Sequence, residues 1–154
     1  MTPDELLRVI KTPTSLGRHL APRRAEGETY NVDPWLELTE RKVLDAVLDK
    51  DHQRFIRVHL PRQIGKTTYS GNYLPLWILG MMPDTRIIFI SYSDDYSRTR
   101  GGEVKSLMKA FGLELFGVTV DPDKDADGEW KIKGRRGGML SVGIGSQITG
   151  RSGD

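Results

Sequence analysis

A chain of 154 residues is long enough for one domain with a real core, and its 37% hydrophobic and 29% charged content is that of a globular protein. Its 23 basic and 21 acidic residues leave a formal charge of only +2, so any contact with DNA must come from a local patch rather than from the whole molecule. The lack of cysteine excludes disulfides and thiolate zinc sites. No apolar stretch approaches the roughly 20 residues of a membrane span.

The N-terminus, Met1-Thr-Pro-Asp-Glu-Leu-Leu7, lacks the basic-then-apolar layout of a secretory signal, and a soluble protein is expected. Thr2 before Pro3, Asp4 and Glu5 starts a short helix with a capping hydroxyl, an early proline and acids at its positive end. Residues 13–33 are rich in proline, glycine and charge and read mostly as an arm, with a turn of helix near Leu16 to Leu20. The expected organisation is an N-terminal helix and arm over 1–33, followed by an α/β domain over 34–154. Thr39 is the expected cap of a helix to about Lys50, with Val43, Leu44, Val47 and Leu48 on one face. His19, His52 and His59 are too scattered for a metal cluster.

Residues Phe55 to Tyr73 carry the strongest chemical signal. Phe55, Ile56, Val58 and Leu60 form a short apolar run that predicts a strand; a tight loop follows, and a helix starts at Gly65-Lys66-Thr67. Backbone N–H groups at a helix start have no intrahelical partners and attract anions. Gly65 lets the backbone approach a phosphate, Lys66 reaches β- and γ-phosphates, and the Thr67 hydroxyl suits Mg2+ bridging them. The full phosphate-loop pattern would place a glycine at position 60, where this chain has Leu60. Pro75 should then kink or end the helix. Arg86 to Ser91 is nearly all apolar, as in a central parallel strand covered on both faces. Asp94 or Asp95 is the expected cap of a helix that turns Val104, Leu107, Met108 and Phe111 inward. Glu129 to Lys133 and Gly138 to Ile144 alternate like strands around a turn at Gly134 to Gly137, which predicts a β-hairpin. Lys131, Lys133 and Arg135 would share one of its faces, solvated or against a DNA backbone.

The loop Pro61-Arg-Gln-Ile-Gly-Lys-Thr-Thr68 resembles the deviant phosphate loop of phage terminase large subunits, the ATPases that pump DNA into procapsids. The similarity continues through Trp77, Pro83-Asp84, the strand Arg86 to Ser93 and the closing segment Val142 to Asp154. It implies a P-loop NTPase fold with a mainly parallel sheet flanked by helices, and ATP with Mg2+ as cofactors. Gly65, Lys66, Thr67 and Thr68 would hold phosphates and metal, and Arg62 and Gln63 would sense the γ-phosphate. Arg151 matches by position an arginine finger acting on a neighbouring subunit. A segment before the loop helps such enzymes hold adenine, for which Tyr30 to Trp35 and Arg41 are the candidates, beside plain helix packing. The resemblance further implies double-stranded DNA, a terminase small subunit and a portal protein as partners, and a ring homo-oligomer. The setting would be the cytoplasm of a bacterial host and, transiently, the procapsid portal.

The acidic strand that holds Mg2+ in such enzymes is expected just beyond Asp154, with the sheet incomplete without it. Asp94 and Asp95, separated by three residues from the apolar run Ile87 to Ile90, are a poor substitute for it. Asp123 to Gly128 imitates the start of a calcium loop, but its twelfth position is Gly134 and the run reads as an acidic turn. Two other readings remain open: a different P-loop enzyme, such as a helicase-like ATPase or small-molecule kinase, and a non-catalytic fragment that binds nucleotide, or only partner proteins, and turns nothing over.

Overall fold

The computed structural model describes residues 1–24, 29–49, 51–53, 56–59, 65–126 and 128–145. They fall into two compact units, Met1–Tyr69 and Ser70–Asp154.

The first unit is helical. Helix α1 (Pro3–Val9) starts as expected: the Glu5 N–H donates to Thr2 Oγ1 at 3.2 Å, and the Thr2 N–H donates to Glu5 Oε2 at 2.6 Å. The turn of helix expected near Leu16 to Leu20 is longer than expected. Thr12 and Ser15 form a second reciprocal cap for α2 (Pro13–Leu20), a 3₁₀ turn follows at Ala21–Arg23, and Leu16 and Leu20 are fully buried. A strong start signal and two leucines at i, i+4 outweigh the local glycine and charge. Helix α3 (Pro34–Leu48) begins before Thr39, because Asp33 accepts from the Trp35 N–H and Pro34 takes the first helical position. Its buried stripe is therefore Leu36, Glu40 and Val43, while Leu48 is exposed. Residues 56–59, expected in a strand, lie outside the sheet, and Ile56 and Val58 are exposed. Apolar alternation gives a strand only where a neighbouring strand accepts its backbone hydrogen bonds. Phe55 and Leu60, the ends of that run, lie outside the described residues.

Lys66–Thr68 form one α-helical turn (α4), and the boundary between the units lies in the π-helical turn Tyr69–Tyr73 that leads to α5 (Leu74–Met81). Pro75 does not end the helix; it stands in the first turn of α5, directly after the π turn. A wider turn there accommodates the missing proline N–H.

The second unit pairs α5 and α6 (Asp94–Phe116) with a four-stranded mixed sheet in the order β1-β4-β3-β2. Its strands are β1 (Arg86–Ser91), β2 (Val120–Asp125), β3 (Glu129–Ile132) and β4 (Gly138–Gly143). The chain is thus α/β, but among the described residues β1 and β4 form the one parallel pair, and β3 runs antiparallel to both β2 and β4. The connections around β3 are too short for the crossover a parallel pair needs. The β3–β4 hairpin turns through Gly134 at φ +70°, a left-handed conformation suited to glycine. Strand β1 is not central: it pairs on one side only among the described residues, and Ile90 is 51% exposed.

Ser93, not Asp94 or Asp95, caps α6, accepting from the Tyr96 N–H at 3.2 Å. Val104, Leu107 and Met108 are buried as expected, and Phe111 is half-buried. Trp130 donates from Nε1 to the Gly101 carbonyl at 3.2 Å, which places α6 over the Trp130 face of the sheet. The Asp94 carboxylate accepts from the Gly143 N–H at 3.1 Å, tying the start of α6 to the end of β4. No helix among the described residues is long and apolar enough to cross a membrane.

Candidate phosphate-binding site

Gly65 lies at φ +82°, ψ 8°, and is the N-cap of Lys66–Thr68. Its carbonyl accepts from the Tyr69 N–H at 2.8 Å, closing the first turn. A Cβ at this position would be strained whatever the available space, because side chains crowd the left-handed region. It would also come within 3.4 Å of Tyr30 Cε2, 3.6 Å of the Asn31 carbonyl oxygen and 3.8 Å of Leu36 Cδ2. The turn thus rests on the segment before α3 and on α3 itself. Thr67 is exposed, and Lys66 and Thr68 are half-buried.

Behind the turn, the Tyr69 ring is buried at 4% exposure and its hydroxyl faces Glu40 and Tyr30. Burial first, and the nearby Glu40 carboxylate second, push the Tyr69 hydroxyl above its ordinary value and keep it protonated. Glu40 is itself 6% exposed, and its Oε2 accepts from the Thr14 N–H at 2.8 Å. That N–H is one of the unpaired donors at the start of α2, so the carboxylate sits at the positive end of a helix. Glu40 therefore joins α2 to α3, with the buried Tyr69 ring of the turn near it. Sequence reasoning missed this pair. Its signal was an acid at the core position of the stripe Leu36, Glu40, Val43, where only a satisfied carboxylate is tolerated.

Of the expected site residues, Gly65, Lys66, Thr67 and Thr68 are brought together at one helix start, with Tyr30 beside them. Trp35 is 63% exposed and Arg41 is exposed on the outer side of α3. Arg62, Gln63 and Arg151 lie outside the described residues. Asp94 is engaged by the Gly143 N–H and by Arg98. Asp123 and Asp125 lie on β2, where Asp125 is held by Lys105 at 3.0 Å and by Lys109. Among the described residues no three His, Cys, Asp or Glu side chains converge as metal ligands.

The turn has the parts a phosphate group requires: a glycine in a left-handed conformation, backbone N–H groups opening a helix, a lysine and two hydroxyls. Compared with protein-family models, curated proteins and solved structures, the chain matches none.

Proposed function

We propose that this chain is the nucleotide-holding part of a terminase-type ATPase with a P-loop NTPase fold. In the assembled motor it would couple ATP hydrolysis to movement of double-stranded DNA into a procapsid. The observation that carries the reading is Gly65, left-handed at the head of Lys66–Thr68. A plain reverse turn needs neither a lysine nor a hydroxyl after the glycine, whereas a phosphate cradle uses the lysine and one hydroxyl. Each residue has a task that its chemistry fits. The N–H groups of Lys66 and Thr67 would bind non-bridging phosphate oxygens, the Lys66 ammonium would offset phosphate charge, and the Thr67 hydroxyl would help hold Mg2+. Mg2+ held there would supply charge neutralisation. Tyr30, in contact range of Gly65, holds the turn's shape and stands where an adenine-binding segment is expected. By the resemblance alone, Arg62 and Gln63 would sense the γ-phosphate, and Arg151 would act on the neighbouring subunit of a ring. The terminase small subunit and the portal protein are the partners of that ring.

For these 154 residues alone we expect binding without turnover. Asp94 and Asp95 are the acids nearest the end of an apolar strand, and the Asp94 carboxylate is committed to the β4 backbone and Arg98. Equilibrium binding of a non-hydrolysable ATP analogue, with and without Mg2+, tests the assignment. Wild type should bind more tightly with Mg2+, and Thr67→Ala should lose that gain while keeping metal-free binding. An equal Mg2+ gain in both proteins would refute the role of Thr67.

A further inference from the structure

In the second unit, the helix side of the sheet is fixed by Trp130, which reaches the α6 backbone, and by Phe89, which lies near Gly71. Strand alternation then assigns the opposite face. Ile88 and Ile90 pair with Leu140 and Val142 across β1 and β4, and Glu129 and Lys131 pair with Leu140 and Gly138 across β3 and β4. On this face Ile90 is 51% exposed and Ile88, Leu140 and Val142 are half-buried. Parallel strands are ordinarily covered on both sides, so two adjacent rows of branched apolar side chains are an unfinished layer. A cavity of about 200 Å³ opens at one end of them, with Ile88 and Leu140 in its lining and Arg86, Lys131 and Arg136 around it. Glu129 is the one acid in that lining. Three cations against one acid, in a chain of net charge +2, make this rim basic.

We propose that this sheet face is a docking site for an acidic amphipathic helix of a partner protein. Residues two apart on a strand are separated by about 6.6 Å, close to the roughly 6 Å rise between helix positions i and i+4. The rows Ile88–Ile90 and Leu140–Val142 therefore suit the i, i+3, i+4, i+7 anchors of a helix, one of which would fill the cavity. Glu or Asp flanking those anchors would meet Lys131 and Arg136. A nucleic-acid backbone would use the cations but leave the four aliphatic side chains facing water, so the apolar floor selects a protein.

The test uses two labelled helical peptides with identical leucine anchors, one flanked by Glu and one by Lys, titrated by fluorescence anisotropy against the full chain. The Glu peptide should bind saturably and about tenfold or more tighter than the Lys peptide, and added salt should weaken it. The double variant Lys131→Glu, Arg136→Glu should reverse the preference, a result that a misfolded face could not give. Ile90→Asp should weaken both peptides. Absence of saturable binding, equal affinity for the two peptides, or an unreversed preference in the double variant would overturn the proposal. So would a concentration-dependent dimer abolished by Ile90→Asp, because a second copy would then be the occupant. Displacement of the Glu peptide by duplex DNA with equal effect on wild type and Ile90→Asp would also overturn it.

Discussion

Gly65 brings backbone strain and chemistry together at one position. At φ +82° an alanine would carry the left-handed penalty of about 1–2 kcal/mol, while its methyl group would only touch Tyr30 at 3.4 Å. Gly65→Ala is therefore expected to lower unfolding free energy by about that amount in urea titrations and to weaken nucleotide binding as well. Wild-type stability in the variant would contradict the left-handed turn. Tyr69 gives a second residue-level expectation, with a definite sign. Its folded-state proton affinity is raised above the usual 10.0, by burial first and by Glu40 second. A raised value means that the stabilisation is fully present below pH 10.0 and is lost as pH rises from there towards the folded-state value. Denaturation from pH 9 to 11 should show wild type losing stability faster than Tyr69→Phe; parallel curves would remove Tyr69 from the alkaline transition. Both positions differ in how far the sequence revealed them. Gly65 was legible because Gly-Lys-Thr has a chemical reason to be contiguous. The Glu40–Tyr69 pair was not, because its members are 29 residues apart and only packing joins them.

Elements were most legible where a start signal and a periodic pattern agreed. The cap at Thr2, the apolar stripe of α6 and the β3–β4 hairpin are of this kind. They were misread where one signal was taken alone. Glycine and charge in 13–33 suggested an arm with one turn of helix near Leu16 to Leu20, yet the Thr12–Ser15 cap and two buried leucines extend that turn over Pro13–Leu20. The apolar run of β1 suggested a central strand, yet periodicity reports side-chain character and not the number of neighbours a strand has. The run near Ile56 shows the same limit, since its residues 56–59 lie outside the sheet. Strand β2 is a separate case: its acidic residues imitate a calcium loop, but Asp125 fastens β2 to α6 through Lys109 and Lys105. Those lysines, Lys109 first, hold the Asp125 carboxyl below its ordinary value of 3.8. The stabilisation is then present above pH 3.8 and lost as pH falls through the folded-state value. Acid unfolding followed by circular dichroism should be shallower below pH 4 in Asp125→Asn than in wild type. An unchanged acid limb would show that the bridge contributes nothing.

At the scale of the whole molecule, a helical unit carries the Gly65–Thr68 turn and an α/β unit carries the mixed sheet. A net charge of +2 gives no long-range field for nucleic acid, so the proposed DNA contact would have to rest on local patches. Hydropathy and turn signals were sufficient for the α/β class, but not for strand order, which depends on pairings between β1 and β4 that lie about fifty residues apart in the chain. The central claim is that Lys66 stands in a nucleotide site, and a calorimetric titration of wild type and Lys66→Ala with a non-hydrolysable ATP analogue and Mg2+ tests it directly. The account predicts saturable one-site binding to wild type and no measurable binding to the variant, with both proteins showing the same thermal unfolding. Equal affinity of the two proteins, or no binding by either, would contradict it.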